Sequence, residues 1–119
     1  MLAVGEHLLG HLEPQAAGMA TGLAGGLGGT YQEMCGALSG GVLVIGALYG
    51  RHRLPASDEP AYSLAARYRK RFLAEFGATQ CAQIRSQVEA PGGPDSCAEV
   101  VEKAALLLLD LLDSTVTDT

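Results

Sequence analysis

The sequence predicts an all-α domain, and three observations lead to this prediction. Hydrophobic residues make up 48% of the 119 residues and charged residues 18%, which is typical of a packed globular chain. Aromatic residues reach only 5% and there are 16 Gly, so the core must be built from Leu and Ala on closely packed helices. No long segment alternates apolar and polar residues as a half-buried strand does. We therefore expect one compact bundle of five to six helices over residues 1–113 and a disordered tail at 114–119.

The first half of the chain predicts two short helices, a glycine loop and a buried helix. A helix over residues 1–12 places three leucines on one face: Leu2, Leu9 and Leu12. Pro14 suits the first turn of a second helix, which GGLGG at residues 25–29 ends. Residues 34–50 carry no charge and are apolar all round, so we expect the central core helix there. A membrane span explains this segment less well, because it is short and contains five Gly.

The second half predicts three more helices from their start and stop signals. Ser57, followed by two acids and Pro60, predicts a helix start with Pro in the first turn, and Gly77 ends that helix. Its apolar stripe is Ala65, Tyr68, Phe72 and Phe76. Thr79 is a candidate cap for a short helix through about residue 87, before the break PGGP at 91–94.

The last helix begins with a capping box that joins Ser96 and Glu99. Its predicted inward residues are Val101, Ala104, Leu108 and Leu111.

The charge distribution argues against nucleic acid as a partner. The formal net charge is −5, yet residues 51–71 hold six of the eight Lys and Arg against two acids. A solvated helix face explains most such clusters, and the alternative is a docking patch for an acidic redox partner formed by Arg67, Arg69, Lys70 and Arg71. No signal-peptide pattern is visible, so we expect a cytoplasmic protein without a membrane association.

Three cysteines carry the main functional signal. Cys35, Cys81 and Cys97 all fall at predicted helix N-termini, where unpaired N–H groups and the helix dipole favour a thiolate. A single cysteine is more often a small buried hydrophobe, but the shared position favours reactive or metal-binding sulfur. We expect Cys35 to be the most reactive thiol, with a pKa below the usual value of about 8.5. The spacing contains no C-x-x-C, so it matches no zinc ribbon or ferredoxin.

The cysteine pattern resembles the C_GCAxxG_C_C family of redox-active proteins, named for four cysteines of which one lies in C-G-A-x-x-G. The match is CGALSG at residues 35–40, preceded by GLAGGLGG and followed by VLVIGALYGR. FLAEFGATQC, which ends at Cys81, is similar to the family's third-cysteine segment, and CAEVVEKAA, which starts at Cys97, to its fourth. The resemblance implies a small helical domain whose clustered cysteines serve electron transfer or bind an iron–sulfur centre.

The family's first cysteine has no counterpart in this sequence. In the family it opens the first helix, in a segment like N-C-A-Q-A-V, and Met1 aligns just after it. Either that ligand is lost or the start is assigned too late. We therefore expect the chain as given to lack a complete four-sulfur cluster and to be isolated in air without an iron–sulfur cofactor, and we expect an upstream extension to restore one.

Two classes of function remain open at this point. In the first, Cys35, Cys81 and Cys97 are catalytic thiols or metal ligands of a redox protein, and Gly36 and Gly40 allow a cofactor to approach the backbone. In the second, the cysteines only pack, and the chain is an interaction module that forms a helical homodimer. A homodimer is plausible in either class, because the core is small for the chain length. No Ser-His-Asp pattern or paired carboxylate identifies an enzyme site.

Overall fold

Six α-helices make up the fold in the computed structural model, which describes residues 2–90 and 96–117. In chain order they are α1 (Leu2–Leu9), α2 (Pro14–Met19), α3 (Gly36–Tyr49), α4 (Ala61–Phe76), α5 (Cys81–Glu89) and α6 (Cys97–Thr117). A 3-10 turn at Thr21–Leu23 follows α2. The described residues form no strand and only one isolated antiparallel bridge, between Met34 and Gln80. The all-α prediction is confirmed. The PGGP break at 91–94 lies outside the described residues.

The core lies between α3, α4 and α6. α4 contributes one stripe at four-residue spacing, all of it buried: Leu64, Tyr68, Phe72 and Phe76. The predicted stripe is confirmed at its three aromatic positions, whereas Ala65 is only half-buried and Leu64 lies in its place. Gly77 ends α4 as predicted, with a left-handed φ of 71° and an N–H that donates to the Leu73 carbonyl at 2.7 Å.

A glycine lets the central helix approach α4 closely. A Cβ added to Gly41 of α3 would overlap the Tyr68 ring, so the ring lies against bare backbone. The Tyr68 hydroxyl donates to the Ala104 carbonyl of α6 at 3.0 Å, and burial raises the pKa of this phenol. One aromatic side chain therefore joins all three core helices, and its polar atom has a partner.

The register of α1 differs from the prediction. Leu2 is 55% exposed and Leu9 39%, while Val4 and Gly5 are buried. The helix ends at Leu9 because Gly10 takes a left-handed φ of 75°. The three-leucine face was wrong for Leu2 and Leu9, whereas Leu12 is half-buried and lies against Gly5.

The central helix is shorter and less enclosed than predicted. α3 begins at Gly36, and one side of it, including Leu43 and Ala47, is exposed. That side and the first two helices line an apolar groove of about 190 Å³. The homodimer and its interface stay predictions. Among the described residues, no helix has both the length and the hydropathy needed to cross a bilayer.

The start of α4 lies three residues later than its sequence signal. The Ser57 hydroxyl accepts the Glu59 N–H at 3.1 Å, but in a turn that precedes the helix. Pro60 is the N-cap residue rather than a first-turn residue. The reason is steric, because the residue before a proline is disfavoured in helical conformation.

The cap of α6 is confirmed and its inward face is corrected by one residue. The Ser96 hydroxyl accepts the Glu99 N–H at 3.4 Å. Val101 is 53% exposed, and Val100 is buried instead. The other three predicted inward residues are buried as expected: Ala104, Leu108 and Leu111. α6 continues to Thr117, so helical backbone extends into the segment that the sequence assigns to a tail, while residues 118–119 lie outside the described part.

Two glycines of α3 provide a matched test of this packing. Gly41→Ala should destabilise the fold by about 1–3 kcal/mol, because the new methyl group displaces Tyr68. Gly46→Ala has open space around it and should stabilise the fold by about 0.5–1 kcal/mol through helix propensity. Urea denaturation of both variants measures the difference. Equal free energies of unfolding would contradict the Gly41–Tyr68 packing.

Candidate functional site

The three cysteines line one cavity of about 340 Å³ at the N-terminal ends of three helices. Cys35 is the N-cap residue of α3, and Cys81 and Cys97 are the first residues of α5 and α6. The structure therefore brings together all three cysteines that the sequence singled out, although the second follows the first by 46 positions. Their chemical roles stay predictions.

The bridge between Met34 and Gln80 holds Cys35 and Cys81 in register. The Cys35 N–H donates to the Thr79 carbonyl and the Cys81 N–H to the Glu33 carbonyl, both at 2.8 Å. Thr79 therefore contributes its backbone to the site. Its predicted side-chain cap is wrong, because α5 begins one residue later with Gln80 as the N-cap and no side-chain cap hydrogen bond.

Strand-like alternation sends the two thiols to the same side of this bridge. Met34 and Gln80 are exposed, so the next residues along each segment, Cys35 and Cys81, face the opposite way, into the protein. The two cysteines are diagonal neighbours, which in a regular antiparallel pair have Cα atoms about 7–8 Å apart. Disulfide-bonded cysteines have Cα atoms closer than about 7 Å, so regular diagonal spacing lies at the limit of disulfide geometry. All three cysteines are free thiols in the structure.

The glycine loop forms one wall of the cavity through an unusual backbone conformation. Five consecutive residues at 25–29 have φ between 61° and 75°, and Tyr31 has φ 63°. A Cβ added to Gly26 would lie 2.6 Å from the Cys81 Cβ, so only glycine fits there. The Tyr31 carbonyl accepts the Ala82 N–H at 3.0 Å, which ties the loop to the start of α5.

Burial reverses the pKa expectation for Cys35. Loss of solvent raises the pKa of this thiol above its usual range. The Ala37 and Leu38 N–H groups lower the pKa of this thiol, but their effect is smaller than that of burial. Negative charge on Cys81 or Cys97 raises the Cys35 pKa further. The prediction that the helix N-terminus gives Cys35 a low pKa was wrong, because desolvation is the larger effect.

Gly36 and Gly40 lie in the cavity wall next to Cys35. The loop already explains the need for glycine at position 36, since an added Cβ would lie 3.2 Å from the Ala24 Cα. A contact of either glycine with a cofactor stays a prediction.

Two residues of the cavity were missed by the sequence analysis. The guanidinium of Arg85 lies over the Tyr31 ring, 4.1 Å from its centroid, and both side chains line the cavity. The available signal was the spacing of Arg85, four residues after Cys81, which puts both on one face of a helix. Tyr31 could not be found in this way, because its place depends on the folded loop.

The basic residues on α4 are separate from this cavity and only partly available. Arg71 pairs with Asp110 of α6 at 3.1 Å, while Arg67, Arg69 and Lys70 are exposed. Docking of an acidic redox partner on these residues stays a prediction.

Comparison with known proteins assigns the family. The model of the C_GCAxxG_C_C family, described as "Putative redox-active protein", matches residues 1–111. The chain belongs to this family. No curated protein and no solved structure matches it. The sequence resemblance is thereby confirmed, and the cavity contains all three cysteines that carried it.

The loop of this C_GCAxxG_C_C protein can be tested with two glycines of equal conformation. Gly28→Ala, which has no atom within 4 Å of the added Cβ, should cost about 1–2 kcal/mol for the left-handed backbone alone. Gly26→Ala should cost clearly more and should also increase alkylation of Cys81, because the loop must move away from it. Denaturation and mass spectrometry of alkylated peptides give both results. Equal effects of the two substitutions would contradict the close packing of Gly26 on Cys81.

Accessibility and burial predict the order in which the thiols react. In the native protein, iodoacetamide should modify exposed Cys97 first and Cys81, which is 7% exposed, last. Because burial raises the Cys35 pKa, its alkylation rate should still increase above pH 9 instead of levelling off near the usual value of about 8.5. Rates at each cysteine from pH 6 to 10 provide the measurement. A half-maximal rate for Cys35 at or below pH 8.5 would refute this assignment.

Proposed function

We propose that Cys35, Cys81 and Cys97 are the protein ligands of an iron–sulfur cluster in the cavity, and that the protein serves electron transfer. The observation that carries this proposal is the arrangement of the thiols: three helices each present one cysteine to the same cavity. Thiolates are the usual protein ligands of iron–sulfur clusters. No Asp, Glu or His is among the described residues that line the cavity, so its donor set is sulfur.

The separation of the thiols favours a cluster over a single ion. Within residues 2–90 and 96–117, no three Cys, His, Asp or Glu side chains lie close enough to share one metal ion. A cluster has irons and sulfides between its ligands and therefore suits thiols that are farther apart.

The surroundings of the thiols suit a group that carries negative charge. Each N-terminus of α3, α5 and α6 contributes roughly half a positive charge from its helix dipole. Metal coordination deprotonates a thiol outright, so it would overcome the raised pKa of Cys35. Since the protein must release this proton, the affinity for iron should increase with pH.

Residues of this chain would hold the cluster and shield it from water. When bound, the cluster would supply one-electron transfer. Gly25 and Cys81 line one wall, and buried apolar residues of the core side, Ile84 and Val100, keep water from another. Three thiolates are one fewer than a four-cysteine site uses, so one position needs a ligand that is not among these cysteines.

Anaerobic reconstitution with ferrous iron and sulfide tests the proposal with a matched control for each ligand. Cys35→Ser, Cys81→Ser and Cys97→Ser should each lower the bound iron and the visible absorption several-fold. Exposed neighbours outside the cavity provide the controls: Met34→Ser, Gln80→Ser and Ala98→Ser should bind as much iron as the unchanged protein. Far-ultraviolet circular dichroism confirms that each variant is folded.

Two outcomes would overturn the proposal. Failure to bind stoichiometric iron and sulfide, both by the unchanged chain and by a chain with an upstream extension that supplies a fourth cysteine, would leave thiol chemistry or a structural role for the cysteines. Cysteine variants that bind as much iron as their controls would show that the iron lies elsewhere.

A further inference from the structure

Arg85 is a charged residue in the wall of the cysteine cavity. It follows Cys81 by four residues on α5, so both side chains lie on the same helix face. Among the described residues that line the cavity, Arg85 alone carries a permanent charge. Most of the other lining residues are apolar, including Leu23, Ile84 and Val100.

Tyr31 holds the guanidinium in position. Its ring lies 4.1 Å from the Arg85 guanidinium carbon, and its backbone is fixed by two hydrogen bonds. The Tyr31 N–H donates to the Gly25 carbonyl at 2.9 Å, and its carbonyl accepts the Ala82 N–H at 3.0 Å. Stacking on an aromatic face leaves the edge of the guanidinium, with its N–H donors, free to bind an acceptor. Arg85 forms no ion pair with any acid side chain in the described part of the chain.

We propose that Arg85 is the recognition group for a small carboxylate ligand that binds in the cavity next to the thiols. The planar fork of a guanidinium matches a carboxylate with two parallel hydrogen bonds. The cavity volume, about 340 Å³, is at the small end of ligand pockets, so it suits a short molecule. The apolar wall formed by Leu23, Ile84 and Val100 suits a hydrocarbon body behind the carboxylate.

The electrostatics favour an anion at this one place on an acidic protein. The net charge is −5, yet no Asp or Glu is among the described lining residues. Three helix N-termini add their positive ends to the charge of Arg85. Carboxylate binding itself does not depend on a metal. The carboxylate shares its cavity with the proposed cluster, but its binding requires Arg85 and not iron.

The first experiment uses the reduced, metal-free protein and two alkylating reagents of similar size. Anionic iodoacetate and neutral iodoacetamide are compared at each cysteine by mass spectrometry, and the readout is the ratio of their rates. Arg85→Gln should lower this ratio about three-fold or more at the cavity thiols, because a fixed positive charge is lost. The matched control Arg69→Gln removes an exposed arginine of α4 and should leave the ratio unchanged.

The second experiment asks whether a carboxylate occupies the cavity. Butanoate should slow iodoacetamide modification of the unchanged protein, and neutral butanamide should not. Arg85→Gln should abolish this protection. Arg85→Lys keeps the charge but not the fork, so it should retain the reagent ratio and lose most of the protection.

The outcomes separate this proposal from the proposed function. A reagent ratio that is equal in the unchanged protein and in Arg85→Gln, or protection by butanoate that persists in Arg85→Gln, would overturn the role of Arg85. Both results are obtained without iron, so they hold whether or not a cluster can be reconstituted. Failure of reconstitution together with carboxylate protection would refute the cluster and retain the anion site.

Discussion

The position of the thiols depends on two backbone hydrogen bonds. The bonds on either side of the Met34–Gln80 bridge join the start of α3 to the start of α5. Each is worth only about 0.5–1.5 kcal/mol, yet together they determine which way Cys35 and Cys81 face. Without the bridge, nothing local would relate two residues so far apart along the chain, and the cavity would lose its common wall.

The hydrophobic core also restrains this bridge, through α4 and α5. α4 packs in the middle of the core and ends at Gly77, only three residues before Gln80. The Gln87 side-chain amide then donates to the Phe76 carbonyl at 2.6 Å, so α5 is attached to the end of α4 as well as to the glycine loop. The site therefore has two anchors, one in the hydrophobic core and one in the loop, and each restrains the same helix.

Features that depend on a few neighbouring residues could be predicted from the sequence. The end of α4 at Gly77 and the Ser96 cap of α6 are of this kind, and so are the helix starts near the three cysteines. Features that depend on tertiary packing could not. Whether Val100 or Val101 is buried depends on how α6 packs against the other helices, and the Cys35 pKa is decided by burial, which sequence spacing does not show. The stacking of Arg85 on Tyr31 likewise requires the folded loop.

The left-handed loop limits how this protein can vary. Every amino acid that can replace a glycine adds a Cβ, and in residues 25–29 the backbone conformation disfavours that atom at each position. Leu27 shows that the conformation itself can be tolerated where the side chain points outward, since it is 52% exposed. Gly26, in contrast, faces Cys81, so a side chain at this position could not point outward into solvent. At Gly26, therefore, both the backbone conformation and the neighbouring Cys81 limit which amino acids the chain can carry.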